Sequence, residues 1–394
     1  MRAVLTNFGT TGDIQPFLAL AIELQRHGHV PLLAFSPYYE FRVRSLGFEF
    51  KAVGPDLQRF QQAVMMAQNK SPLSFQRMKS LFAPLTAALP QMFADLQEAC
   101  VGADVLISGP VQPAARMVHE ITGISFVSVQ VAHFGGGGTP AFQEASSLPL
   151  NEFRSQLGLP PLLNPITIDA NSNQLALYAS SRHVQPIPRD WPPHYHLTGY
   201  FFLDDEKWQP DESLVKFMEA GEPPVVVTFG SITYEDTEGL TDSILEAINS
   251  ANCRAIIQHG WTGLAKGKKL PPHIYAAGYV PHEWLFPRAA CVVHHGGAGT
   301  TASVLRAGVP SIFMTRPGGQ PLRARLAQEL GCAGPLIPYR RLTAESLGLA
   351  IRRTLSNPSY YSAAASLGKK IQAEKGVERG RQLIEQLILK DKVA

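Results

Sequence analysis

A strand–helix–strand rhythm set up in the first residues restricts the fold more than any other feature. RAVLTNF (residues 2–8) is a short β-rich run, GTTGDIQ follows, and in PFLALAIELQRHG the residues Phe17, Leu20, Ala21 and Leu24 recur at helical spacing. Pro16 suits the first helical turn and Gly28 the C-terminal stop, after which VPLLAFS supplies a second apolar run. Strand, glycine-containing turn, helix and strand make a βαβ unit, the building block of a parallel sheet.

The rhythm returns in ADVLISG, in a helix through PAARMVHEITG and in ISFVSVQVAHF, so one doubly wound domain fills about residues 1–200. Between its two parts, 56–98 has a helical pattern rich in Met and Phe, Met78 and Phe82 among them. The stretch 182–210, dense in proline and aromatics, fits no regular element and leads into a linker. PPVVVTFGSI then opens a second series: a strand, a helix near 237–251, the run RAIIQHG, the connection YAAGYVPHEWLF, the strand AACVVHH, a helix from about Thr300 to Ala307 and the strand PSIFMT. Helical stretches at 343–355 and 358–390 close the chain. With 394 residues there is more chain than one core usually serves. The expected division is a Rossmann-like domain at 1–205, a linker at 206–222, a second Rossmann-like domain at 223–375, and a helix at 376–394 that packs back on the first.

The 35 basic residues are scattered among 32 acidic ones for a net charge of +3, which argues against nucleic acid as the main partner. Cys100, Cys253, Cys291 and Cys332 stand alone without metal-ligand spacing, the pattern of a reducing compartment. No signal-peptide pattern opens the chain, and no window approaches 18 unbroken apolar residues. The expectation is a soluble cytoplasmic protein, with contact to a membrane surface left open.

HHGGAGTT (294–301) lies where a buried strand passes to a helix. In a parallel sheet, ligands settle outside the carboxyl ends of the strands, where helix N-termini carry unpaired N–H groups and partial positive charge. Gly296, Gly297 and Gly299 let the backbone approach a ligand, Thr300 and Thr301 add hydroxyls, and an imidazole adds a donor. A diphosphate suits such a site; a tight turn with histidines bonded to carbonyls is the alternative.

Together VVHHGGAGTTASVLRAGVP, GTTGDIQPFLALAIELQRHGH, TFGSI and GYVPHEWLF resemble the bacterial branch of family-1 glycosyltransferases, which has natural-product, sterol and rhamnolipid-type members. The resemblance runs through both halves in order. It implies an α/β protein of GT-B fold, two Rossmann-like parallel-sheet domains facing across a cleft, the acceptor largely in the first and the nucleotide-sugar in the second. It also implies inverting chemistry with a UDP- or dTDP-sugar as co-substrate, and no metal or further cofactor.

That likeness carries roles onto particular residues. His295 corresponds to a phosphate-binding histidine, Gly297, Ala298, Gly299 and Thr300 to backbone and hydroxyl donors, and Ser231 to another diphosphate contact. Asp13 corresponds to a general base, although an N-terminal helix cap suits the same position. Tyr279 and Val280 fall where relatives hold the pyrimidine, and Trp261 is a further wall of that pocket; plain packing is the alternative for each. On the acceptor side the candidates are Gly12, His133, Met78 and Phe82, with ordinary core as the competing reading.

Two positions depart from the family. Relatives carry Asp-Gln where both side chains hold sugar hydroxyls, and here Gly319 replaces the aspartate while Gln320 remains. Ser303 stands where some relatives place a ribose-binding glutamate, which suits a deoxyribose nucleotide. A deoxysugar donor becomes attractive, and Arg316 is a candidate for an acidic group on the donor. The leading expectation is transfer of a sugar to a hydroxyl of a lipophilic or aromatic small molecule. A sugar-nucleotide epimerase and a non-catalytic nucleotide-sugar-binding helper of a partner transferase are the alternatives.

Overall fold

The structure is a computed structural model that describes residues 1–58, 60, 75–131, 140–164, 168–205, 207–232, 234, 236–316 and 319–391, with side chains described except at 75–82, 140–146 and 168. The chain divides into two units, one of Met1–Ser180, Ile187–Phe201 and Lys375–Ala394, the other of Ser181–Pro186 and Phe202–Glu374.

In the first unit the strands are β1 (Arg2–Thr6), β2 (Val30–Phe35), β3 (Glu49–Ala52), β4 (Val105–Ser108), β5 (Ser125–Gln130), β6 (Leu175–Tyr178) and β7 (Tyr195–Leu197). They form one parallel sheet in the order β3-β2-β1-β4-β5-β6-β7. Ala3, Val4, Leu5, Val105, Leu106 and Ile107 are fully buried, as expected where helices cover both faces of a parallel sheet. The chain runs outward from β1 to β3 on one side and from β4 on the other, so the sheet's switch point lies between β1 and β4.

The second unit repeats the plan with β8 (Val225–Thr228), β9 (Ala255–Gln258), β10 (Ile274–Ala277), β11 (Cys291–His294), β12 (Ser311–Thr315) and β13 (Ala333–Pro338). Their order is β10-β9-β8-β11-β12-β13, again parallel, with the switch between β8 and β11. Val225, Val227, Ile257, Val293 and Ile312 join the helices Thr237–Ala251 and Ala344–Leu355 in one core.

Several elements differ from the sequence expectation. The first helix spans Thr11–Arg26, a turn earlier than expected, which leaves Pro16 inside it. Its start is fixed by Asp13, whose Oδ2 accepts from the Thr10 N–H at 2.8 Å and from the Thr10 hydroxyl at 3.1 Å. The stretch at 182–210 does hold a regular element, the edge strand β7 paired to β6. Within the expected linker lies the helix Glu212–Glu219, capped by Asp211 and anchored by buried Leu214 among Val226, Ile256 and Val292. The region read as a connection contains β10, and β13 forms a further edge. The expected continuous helix at 358–390 breaks into Pro358–Gln372 and Gly376–Asp391. There the chain passes from the second unit to the first, and a Cβ on Gly376 would overlap the carbonyl of Tyr200.

Candidate functional site

β11 ends on His294 at the switch point of the second sheet, level with Thr228 of β8. Both His294 and the following His295 are buried, at 0% and 7% exposure. The His294 ring packs on Phe313 with centroids 4.4 Å apart, and its Nδ1 accepts from the Gly296 N–H at 3.2 Å. Nε2 therefore carries the proton, and among the described residues it meets no acceptor.

His295 is held from two sides. Gly230, in the turn after β8, would bring a Cβ to 3.7 Å from Cε1, and a Cβ on Gly297 would overlap Nε2. Its Nδ1 is buried and has no partner among the described residues. Burial first, then Arg323 and His282, push its pKa down to about 4, so the ring is neutral near pH 7. A neutral ring offers one donor and one acceptor without demanding a counter-charge.

Gly296 makes the turn at φ +82, a conformation that favours glycine, and Gly297 is the N-cap of the helix Ala298–Ala307 with no side-chain cap. The Thr301 N–H reaches back to the Gly297 carbonyl at 2.9 Å, so the amides of Ala298, Gly299 and Thr300 form the open first turn. A side chain on Gly299 would meet open space. An imidazole, three helix-start amides and the positive end of a ten-residue helix thus converge beside the sheet. Thr301 adds a buried hydroxyl without a partner among the described residues.

Neighbouring loops are stitched to this point. Ser231 lies in the turn after β8, where the Trp261 N–H donates to the Gly230 carbonyl at 2.9 Å. Buried Gln258, at the end of β9, donates from Nε2 to the Val280 carbonyl at 2.9 Å. Tyr279 beside it is 64% exposed, an aromatic face turned to solvent. Past β12, Gln320 Oε1 accepts from the Arg316 N–H at 2.7 Å, and the Arg316 guanidinium lies over Tyr234 at 4.8 Å and Tyr339 at 5.2 Å. Gly319 is the N-cap of the helix Gln320–Glu329, and Arg323 Nε donates to the Gly296 carbonyl at 2.7 Å. Ser231, Trp261, Tyr279, Val280, His295, Gly297, Ala298, Gly299, Thr300, Arg316, Gly319 and Gln320 all belong to the second unit and follow the carboxyl ends of its strands.

Asp13 and Gly12 belong to the first unit, where they follow β1. Asp13 is the third residue of its helix and bonds back to Thr10, so the cap geometry is realised. A cap does not exhaust a carboxylate, which has about four lone-pair sites. Pro16 has no N–H to give the Gly12 carbonyl four residues earlier in the helix. Met78 and Phe82 lie on the helix Phe75–Ala99 with side chains outside those described, and His133 is outside the described residues.

Sequence reasoning missed several polar groups. Asn7 and Gln112, at 1% and 3% exposure, follow β1 and β4 at the first sheet's switch point, and Asn7 Oδ1 and Gln112 Oε1 have no partner among the described residues. Asn7 Nδ2 donates to the Asp13 carbonyl at 3.0 Å. Arg154, also buried, pairs with Glu120 at 2.8 Å, and Glu120 pairs in turn with Arg116 at 2.9 Å. A polar residue at the end of an apolar run or in the loop after it was the available signal for Asn7, Gln258 and Gln112; Arg154 and Arg323 sit inside helices and had none. Among the described residues, no group of three or more His, Cys, Asp or Glu is placed to hold a metal ion, and no helix is long and apolar enough to cross a membrane.

Comparisons with known proteins agree across both units. A profile for the glycosyltransferase family 28 N-terminal domain matches residues 3–134, and one for the erythromycin biosynthesis protein CIII-like C-terminal domain matches 242–378. A sterol 3-beta-glucosyltransferase of Arabidopsis thaliana is 34% identical over 96% of this chain, which spans 66% of that relative's length. The O-mycaminosyltylonolide 6-deoxyallosyltransferase of Streptomyces fradiae is 30% identical over 98% of this chain and 97% of its own. Among solved structures, the kitacinnamycin glycosyltransferase matches with a TM-score of 0.77 at 19% identity, covering 98% of both chains. The glycosyltransferase VinC in complex with dTDP matches with a TM-score of 0.72 at 20% identity, covering 99% of this chain and all of its own. Two parallel-sheet α/β units, matching domain profiles in each half and a full-length relative together establish that this chain belongs to the family-1-like glycosyltransferases of GT-B fold.

Proposed function

We propose that the protein transfers a sugar, with inversion, from a pyrimidine nucleotide-sugar to a hydroxyl of a lipophilic or aromatic small molecule. The diphosphate is received by His295, the Ala298, Gly299 and Thr300 amides and Ser231, and Tyr279, Val280 and Trp261 hold the base. Asp13 takes the proton of the acceptor hydroxyl as its oxygen bonds to the anomeric carbon and the bond from that carbon to the phosphate oxygen breaks. The departing negative charge falls on donors already fixed in place, which is where such catalysis gains most.

The observation that carries this reading is the pairing of neutral, buried His295 with the uncapped helix start at Gly297. Its buried Nδ1 has no partner among the described residues, and a neutral ring beside the open helix turn can give an N–H to an anionic ligand. The choice between UDP and dTDP is supported on the dTDP side by the bound nucleotide of VinC and by the deoxysugar named for the Streptomyces relative. An apolar acceptor is supported by the sterol and tylonolide compounds in the relatives' names. The reducing cytoplasm is the proposed setting, in keeping with four cysteines that form no disulfide.

The test is to give the purified chain UDP- and dTDP-sugars with a panel of lipophilic alcohols. Steady release of nucleoside diphosphate with a new glycoside is the expected result. Nucleotide binding with no product in any combination would favour a helper subunit, and an altered sugar on the nucleotide without acceptor would favour an epimerase.

A further inference from the structure

Just past β1, Asn7 buries an amide at 1% exposure with its Oδ1 unpartnered among the described residues, an arrangement that costs stability. The other end of that amide is engaged. Nδ2 donates at 3.0 Å to the backbone carbonyl of Asp13, in the first turn of the helix Thr11–Arg26. A carbonyl only accepts, so the amide has one orientation there.

Room for this contact is made from across the switch point of the first sheet. A Cβ on Gly109, the residue after β4, would overlap the Asn7 amide, so a side chain there would push the amide from its place. Gly109 is itself tied to β1, its N–H donating to the Thr6 carbonyl at 3.0 Å. Gly9 clears a second slot: a Cβ on it would overlap the Asp13 carboxylate, and its carbonyl accepts from the buried Tyr39 hydroxyl at 2.9 Å. Asp13 is thereby held at both ends, its carboxylate by Thr10 in the slot beside Gly9 and its backbone by Asn7 in the slot beside Gly109. A helix cap needs only the first of these holds. A general base must also meet its proton at hydrogen-bond reach, and a displacement of about 1 Å can cost on the order of a hundredfold in rate. We infer that Asn7 is a positioning residue for the Asp13 carboxylate and that Gly109 keeps its slot open. This rests on the reading of Asp13 as the base and extends the machinery of that site to the neighbouring strand.

Steady-state transfer by the full chain from UDP-glucose or dTDP-glucose to cholesterol or 2-naphthol, with urea unfolding beside it, tests this. Asn7→Leu keeps the volume and removes both the bond and the idle oxygen. Its kcat should fall about tenfold or more while the urea midpoint holds and the donor KM does not move, the proposed donor site being built from the second unit. Gly109→Ala should lower kcat by displacing the amide, and should cost nothing further in an Asn7→Ala chain, where no amide is left to displace. In an Asp13→Asn chain, Asn7→Leu should change kcat by less than about twofold, because it acts only through the carboxylate. A merely structural role would move the urea midpoint and would not produce that coupling. Wild-type kcat in Asn7→Leu, or an undiminished effect in the Asp13→Asn chain, overturns the positioning role while leaving Asp13 as the base. Full transfer by Asp13→Asn, or no transfer by the wild-type chain with any of these pairs, overturns both.

Discussion

The imidazole of His295 fills the space that a side chain on Gly297 would need. The backbone of Gly297, at φ −62 and ψ 148, is open to any residue, so its lack of a side chain answers to the ring and not to the turn. Gly297→Ala should displace His295 and weaken UDP or dTDP binding about tenfold or more, since a hydrogen bond to a charged group is worth roughly 1.5–3 kcal/mol. The helix itself should lose about 1 kcal/mol or less, because alanine is only a poorer N-cap. Titration calorimetry beside urea unfolding separates the two.

Asp13 serves its helix start and is also the proposed base, and the two duties can be separated. Asp13→Asn keeps an oxygen for the Thr10 N–H, so the helix should lose less than about 1 kcal/mol. Transfer should fall by about 100-fold or more, in the range expected for removal of a general base. A rate that falls only as far as the folded fraction would leave Asp13 as a cap alone.

Acid should weaken the second unit in a defined window. Burial first, then Arg306 for His282 and Arg323 with His282 for His295, bring both rings down to about 4 from 6.5. His294 moves the same way, by burial first and then His295. In the unfolded chain these histidines take up protons near pH 6.5, and in the folded chain they do not. Stability from this cluster is full above pH 6.5 and is lost as the pH falls toward 4, by on the order of a few kcal/mol. Urea midpoints taken from pH 7.5 to 4.5 should show the slope, and His295→Gln should reduce it.

Glu120 is the carboxylate shared by Arg154, whose side chain is 1% exposed, and by Arg116. Arg116 also holds the carbonyls of Asp169 and Asn171, and Arg154 that of Pro160 at 2.8 Å. Glu120→Gln should cost about 3–5 kcal/mol by leaving a buried guanidinium uncompensated. Adding Arg154→Met should recover part of that loss, again read by urea unfolding.

The legible part of this molecule was what local pattern encodes. Alternating apolar runs and helices marked the central strands of both sheets, β1, β2, β4 and β5 in one and β8, β9, β11 and β12 in the other, and HHGGAGTT marked the strand end at which His295 and the open helix turn now stand. β3, β6, β7, β10 and β13, of three to six residues each, escaped because such short strands carry little periodicity of their own. Arg323 escaped for another reason. An arginine in a polar helix reads as solvated, and only folding sets it against Gly319 and the Gly296 carbonyl.

The helix Gly376–Asp391 counts with the first unit, where Arg381 pairs with Glu23 at 3.1 Å and with Glu385 at 2.6 Å, and His29 meets Glu385 at 2.8 Å. The first unit is therefore built from segments that lie before and after the second in sequence. On the ribosome, Glu23 and His29 must wait for more than three hundred residues before Arg381 and Glu385 emerge, so these contacts of the first unit can form only after the residues of the second have been made. A stop codon or proteolytic nick just past Glu374 would spare every residue of the diphosphate cradle and yet strip the other lobe of its clasp.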